Sequence, residues 1–377
     1  MDMIPFNKPY VPQVSKQYAL EVLESDHLQG DGVFTEKASK MLSELVGDGE
    51  VFLTPSCTDA LEMASVLGNF GPGDEVILPS YTFTSAATAV TQFGATPVFV
   101  DIDPISKSID VNQVADAITE KTVAVSWVNY AGVPPDITAL QQIAHENDLI
   151  LIEDNAHGLG GSFNGRPLGS FGDFATQSFH ETKNIQCGEG GALVVNNPKY
   201  VDRANVIRNK GTNRSEFLKK VVKKYEWVDK GSSYVLAETL SAILLGQLEN
   251  FNAIQNNRLE TWNAYSQLFA EIEQFGDIKI MEGNPSNVAH MFYLEFADAS
   301  DAENFSQKLL SQGVRANSHY QSLGTSIAGL RYGRGIHTAV NSKKASNSLV
   351  RLPLWFGLSE NDINQVIEKS INLLRAG

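Results

Sequence analysis

Seven short apolar runs recur through the first two thirds of the chain with helical patterns between them, and this rhythm restricts the fold more than any other feature. Val51-Phe52-Leu53 is the first, and Glu75–Pro79, Pro97–Asp101, Val123–Tyr130, Leu149–Asp154, Phe174–Phe179 and Ala192–Asn196 follow. Most are continuously apolar rather than alternating, as expected of strands covered on both faces. Helical spacing fills several of the gaps, at Asp59–Asn69, Ser85–Phe93, Val111–Ile118 and Ile137–Asn147. Such alternation predicts an α/β fold with a mostly parallel, seven-stranded sheet between helices. Gln247–Ala270 then reads as one long amphipathic helix, and the rhythm changes. Ile278–Met281 and Met291–Phe296 read as strands, Ala302–Gln312 and Ile363–Leu374 as helices, and Gly324–Gly335 as an irregular surface loop. The chain therefore divides into a large α/β domain over 1–250 and a smaller α+β domain over 251–377. Its 377 residues exceed the size at which single cores stop growing.

Open parallel sheets hold ligands at the carboxyl ends of their strands, and two residues there carry chemistry. Asp154 ends one apolar run, and Lys183 stands just past the next, 29 residues on. An acid and an amine meeting at that edge suit pyridoxal 5′-phosphate, which needs a Schiff-base lysine and a carboxylate facing its pyridinium nitrogen. A phosphate also needs a cradle. Ser56, Cys57 and Thr58 follow Pro55 at the start of the predicted Asp59–Asn69 helix, where free N–H groups and the helix dipole attract anions. Ser178, five residues before Lys183, adds another hydroxyl. A Ser/Thr helix start alone is an ordinary cap; acid, lysine and cradle in this order are far more specific.

The net charge of −15 argues against a nucleic-acid partner, which calls for clustered Lys and Arg. An anionic substrate would need a local basic patch, and Arg203–Lys224 is the candidate. Most of its charges read as a solvated helix face, but Lys210-Gly211-Thr212-Asn213-Arg214 forms a loop whose two cations suit phosphates. Two cysteines, Cys57 and Cys187, make no disulfide framework and fit a reducing compartment. Met1–Phe6 lacks a signal-peptide pattern, and no apolar run approaches the roughly 20 residues of a membrane span. A soluble cytoplasmic protein with no membrane partner and no metal site is expected.

With these residues in hand, the chain resembles the DegT/DnrJ/EryC1/StrS sugar aminotransferases. The likeness runs from Ile4-Pro5-Phe6-Asn7 and Gly30-Asp31-Gly32 to Arg351-Leu352-Pro353-Leu354. It includes Leu53-Thr54-Pro55-Ser56-Cys57-Thr58, Pro79-Ser80-Tyr81-Thr82-Phe83, Ser178-Phe179-His180-Glu181-Thr182-Lys183-Asn184, Lys210–Arg214 and Gly231-Ser232-Ser233-Tyr234. The resemblance implies a fold type I, pyridoxal-phosphate-dependent transferase. Lys183 is then the Schiff-base lysine and Asp154 the partner of the pyridine nitrogen. Phe83 stacks on the cofactor, although alone it reads as a core residue. His157 lies near the phenolic oxygen, although alone it reads as a satisfied histidine at a helix start. Ser233 reaches the phosphate from the neighbouring subunit of a homodimer, and Gly30, Lys210, Arg214, His319 and Tyr320 fall at the substrate end.

The implied reaction moves an amino group from L-glutamate to C4 of a dTDP-linked 4-keto-6-deoxyhexose, with the galacto product favoured. The alternatives are a 3-keto sugar or a catalytically silent regulatory or scaffold member. A dehydratase of the family would have replaced the lysine. A cysteine desulfurase would need a mobile cysteine loop that neither Cys57 nor Cys187 resembles. Two positions depart from the family pattern. Asn155 stands where relatives mostly have alanine, which puts a polar group beside the ring. His319-Tyr320-Gln321-Ser322-Leu323-Gly324 lacks the family's usual proline and second histidine, so its sugar contacts stay open.

Overall fold

The computed structural model describes the chain apart from residues 1–2, 271–277, 282, 284–285, 287, 336–338 and 377. Eight strands form the central sheet in the order β1 (Glu50–Thr54), β9 (Gly191–Val195), β8 (Phe174–Ser178), β5 (Ile150–Asp154), β4 (Thr122–Val128), β2 (Glu75–Pro79), β3 (Thr96–Val100) and β12 (Arg334–Gly335). From β8 to β12 every pairing is parallel, whereas β9 runs against both of its neighbours. A hairpin of β6 (Ser162–Phe163) and β7 (Arg166–Pro167) follows β5. The smaller antiparallel sheet is β10 (Lys279–Ile280), β11 (Tyr293–Glu295) and β13 (Leu349–Arg351). The seven expected strands are present, in a mostly parallel α/β sheet beside a smaller antiparallel one. Both faces of the large sheet are covered, with Leu78, Phe174 and Leu193 in one cluster and Val98, Val125 and Trp127 in the other. This explains why its strands read as continuous apolar runs.

Two expectations need correction. Gly324–Gly335 is not an irregular loop. It holds the helix Ile327–Tyr332, capped by Ser326 accepting from the Gly329 N–H at 3.0 Å, and then β12, the eighth strand of the main sheet. β12 pairs with β3, and Arg334 bonds the Glu75 carboxylate at 2.8 Å. These partners lie more than 200 residues away, so the local Gly and Ser content was the only signal and it misled. The long helix read over Gln247–Ala270 is in fact two, Glu238–Glu249 and Phe251–Phe269, broken at Asn250. There the Asn250 amide donates to the Gly246 carbonyl at 2.8 Å, a side-chain bond that competes with the helical ladder.

The sheet register sets up the site. Val128 lies opposite Asp154 and Asp154 opposite Thr176, so β4, β5 and β8 end at one edge. The apolar cluster beneath the small sheet continues across that edge, taking in Tyr81, Val128 and Tyr130 alongside Phe292, Leu294 and Leu352. Residues at the end of β13 are thereby brought over the carboxyl ends of the large sheet. Among the described residues, no helix is long and apolar enough to cross a membrane.

Candidate active site

A cavity of about 890 Å³ opens at this edge, and Ser56, Cys57, Thr58, Phe83, Asp154, His157, Ser178, Lys183, His319 and Tyr320 all line it. Four of the residues singled out in the sequence stand outside that lining: Gly30, Lys210, Arg214 and Ser233. Gly30 packs against the Leu236 carbonyl, and exposed Ser233 pairs with buried Asn209. Lys210 is exposed at a positive φ of 64°, and Arg214 opens the short helix Arg214–Leu218. Within the same basic stretch, Arg208 is buried rather than solvated. Its guanidinium pairs with Asp31 at 2.5 Å and donates to the Leu53 carbonyl at 3.2 Å.

Asp154 ends β5 with its carboxylate buried. Oδ1 accepts from the Ala156 N–H at 3.1 Å, and among the described residues it has no ion-pair partner. Burial pushes its pKa up, while the Ala156 bond and the Lys183 charge pull it back. Lys183 faces the same cavity, and desolvation lowers its amine to about 8 against the pull of Cys57 and Asp154. An amine so placed is in part unprotonated near neutral pH.

A helix starts here as expected. Ser56 caps the helix Cys57–Leu67, its hydroxyl accepting from the Asp59 N–H at 3.0 Å and donating to the Asp59 carboxylate at 2.8 Å. The first intrahelical bond is from Ala60 N–H to the Ser56 carbonyl, so the Cys57 and Thr58 N–H groups precede the ladder. Thr58 and Ser85 hydroxyls bond at 2.6 Å. Gly191 on β9 passes close behind: a Cβ there would lie 2.4 Å from the Cys57 nitrogen.

Strand alternation corrects the reading of Asn155. Side chains of neighbouring residues on a strand face opposite ways, and Asn155, just past β5, turns away from the cavity that Asp154 faces. Its carbonyl oxygen accepts from Asn129 Nδ2 at 2.8 Å. Asn129 also donates to Glu153, whose carboxylate accepts from the Gly169 and Phe171 N–H groups at 2.8 and 3.0 Å. Asn155 therefore belongs to a buried polar network beneath the site and puts no group beside a cofactor ring.

Phe83 is not a core residue. It is 55% exposed at the cavity wall, its ring 5.9 Å from that of Tyr320. The Tyr320 hydroxyl lies 3.0 Å from His157 Nε2, and His157 Nδ1 accepts from the Ala131 N–H at 3.4 Å. His290, unmarked in the sequence, stacks on His157 with centroids 4.3 Å apart. Its Nδ1 donates to the Asn184 carbonyl oxygen at 2.9 Å, because the Asn184 amide is committed to Val288. Burial holds all three histidines, His157, His290 and His319, well below their ordinary pKa, and so neutral. The loop His319–Gly324 is anchored by its departures. The Ser322 and Ser80 hydroxyls bond at 2.8 Å, Gly324 N–H donates to Ser80 Oγ at 3.0 Å, and a Cβ at Gly324 would press on Ser80 and Phe99. Arg351, at the end of β13, also lines the cavity. Arg351 stood in the sequence only as part of the Arg351–Leu354 string and His290 not at all, and neither could be read there as a site residue, since each is brought to the cavity by tertiary packing.

This set fits pyridoxal 5′-phosphate by its own chemistry. A buried carboxylate without a cation partner, a depressed amine and a helix start with free N–H groups surround one cavity. Comparison with known proteins agrees. The DegT/DnrJ/EryC1/StrS aminotransferase family model matches residues 11–370. A pleiotropic regulatory protein of Geobacillus stearothermophilus is 31% identical over 322 residues, 84% of this chain and 83% of its own. The aminotransferase TlmJ of Streptoalloteichus hindustanus superposes with a TM-score of 0.90 at 27% identity, covering 99% of both chains. A DegT/DnrJ/EryC1/StrS aminotransferase of Brucella abortus does so at 0.85 and 26%, covering 95% of this chain and 94% of its own. The chain thus belongs to the DegT/DnrJ/EryC1/StrS aminotransferase family, as a pyridoxal-phosphate-dependent transaminase.

Proposed function

We propose that the chain moves an amino group from L-glutamate to C4 of a dTDP-linked 4-keto-6-deoxyhexose, with the galacto product favoured. The observation that carries the transaminase part is the placing of Lys183, Asp154 and the Ser56–Thr58 helix start on one cavity. In this reading the Cys57 and Thr58 N–H groups and the Ser56, Thr58 and Ser178 hydroxyls hold the phosphate. Asp154 holds the proton on the ring nitrogen, since an opposing carboxylate favours the charged form. Phe83 covers one face of the ring, and neutral His157 stands by the phenolic oxygen. When bound, pyridoxal phosphate supplies an electron sink at the substrate carbon. Lys183 Nζ would take the proton from that carbon as base and, once protonated, serve as the acid that gives a proton back, a task suited to a pKa of about 8.

The choice of sugar rests on the long shared strings on both sides of Lys183. The alternative is a 3-keto sugar, because a misplacement of about 1 Å costs on the order of 100-fold in rate. A homodimer is part of the proposal, with Ser233, Lys210 and Arg214 lent to the partner's site and Gly30 near it. Between them, Phe217, Val221, Trp227 and Val228 are exposed, Trp227 at 81%, and an apolar surface of this kind suits an interface. Residues 1–250 and 251–377 are taken as its large and small units, and the cytoplasm as its compartment. A silent regulatory or scaffold role, the other alternative, is disfavoured by the retention of both Asp154 and Lys183. Purified protein should show the Schiff-base absorbance band and aminate dTDP-4-keto-6-deoxyglucose with L-glutamate. Lys183→Ala should lose both, and turnover by that variant without added amines would sink the assignment. A preference for the 3-keto isomer would overturn the C4 choice, and full activity of a monomer would overturn the dimer.

A further inference from the structure

We propose that Arg351 binds a carboxylate of the amino donor, an assignment that rests on the aminotransferase reading above. The residue ends β13, and its backbone is locked to Asn317 by bonds in both directions, at 2.8 and 3.1 Å. Its side chain is therefore delivered to the cavity wall from a rigid strand. The guanidinium lies 4.7 Å over the Phe6 ring, and Nη2 donates to the Ser318 carbonyl at 3.1 Å. Nε is shut away from solvent with no hydrogen-bond partner. Among the described residues no carboxylate pairs with this cation. The groups that face it are the phenols of Tyr130, Tyr320 and Tyr81, and burial lowers its pKa. A largely desolvated cation at a cavity wall is costly unless an anion meets it, and none of the described residues supplies that anion.

Position selects which anion. Among the described residues, Lys183 and Arg351 are the only lysine and arginine side chains lining the cavity. Arg351 and the reacting amine of Lys183 face one cavity, and the Arg351 charge helps to lower the pKa of Lys183 and of His157. The donor's α-carboxylate is one bond from the carbon that loses its proton. The acceptor's diphosphate is separated from its carbonyl carbon by the sugar ring. A planar guanidinium also matches a carboxylate in two parallel hydrogen bonds, which a lysine does not. Lys210 and Arg214, the cations singled out in the sequence, lie outside the cavity of this chain.

The test is calorimetric titration of the cofactor-loaded protein with maleate, a dicarboxylate with no amino group, and separately with dTDP. Arg351→Met should weaken maleate about 10- to 100-fold and leave dTDP within about twofold, while Arg351→Lys should recover part of the maleate loss. Melting temperature and the visible cofactor band confirm that each variant is folded and loaded. Unchanged maleate binding in Arg351→Met would overturn the proposal. Loss of dTDP binding with maleate intact would also overturn it, and would give Arg351 to the diphosphate. A wild-type protein without the cofactor band would count instead against the aminotransferase reading.

Discussion

Replacing Lys183 by methionine should stabilise the cofactor-free protein at neutral pH, although it removes the residue on which the reaction depends. In the folded chain the amine titrates at about 8, against an ordinary 10.5. At about 1.36 kcal/mol per pH unit, holding it protonated opposes folding by about 3 kcal/mol. Lys183 is only half-buried by exposed area, and solvent screening trims this to about 2–3 kcal/mol. The sign follows from proton counting. Below pH 8 both states carry the proton and the full cost is present. Between about 8 and 10.5 the folded amine has lost its proton while the unfolded one keeps it, so stability rises with pH. Methionine fills a similar volume without charge. At pH 7 Lys183→Met should therefore exceed the parent by about 2–3 kcal/mol, and the gap should close towards pH 10.5. The attraction to Asp154 is already contained in the value of about 8. Urea unfolding of both cofactor-free proteins at pH 7 and pH 10 measures the gap. A variant no more stable than its parent at pH 7, or equal pH slopes for the two proteins, would refute desolvation of the amine.

Three further outcomes follow from contacts at the site. Tyr320→Phe removes the hydroxyl that bonds His157 Nε2 at 3.0 Å, and should lower stability by about 1–3 kcal/mol; an unchanged melting temperature would count against that bond. Glu153→Gln leaves one acceptor oxygen where the carboxylate now serves three N–H donors. It should cost about 1–3 kcal/mol while the cofactor band survives, because Glu153 lies outside the cavity. Gly191→Ala places a methyl group 2.4 Å from the Cys57 nitrogen and must displace the helix start. Affinity of the cofactor-free protein for pyridoxal phosphate should fall about 10-fold or more, by the loss of one or two charge-assisted N–H bonds. Unchanged affinity would separate that helix start from the phosphate.

What the sequence determined by itself was local or carried by a fixed order along the chain. The apolar runs marked seven strands because a sheet covered on both faces demands them. Asp154 and Lys183 stood out because strand ends place an acid and an amine at one edge, and Ser56–Thr58 because a helix start exposes N–H groups whatever surrounds it. The rest depended on partners far apart in the chain. Gly324–Gly335 became a helix and an edge strand only by pairing with β3 and Glu75. Asn155 joined Asn129 and Glu153 because the strand's pleat turned it from the cavity. Phe83 was exposed at a cavity wall, where composition alone would have buried it. His290 and Arg351 reached the site from the small sheet, carried over the large one by a shared apolar cluster. Periodicity reports which face of an element is apolar; which elements then meet is decided by packing between segments hundreds of residues apart, and the groups facing the substrate are set there.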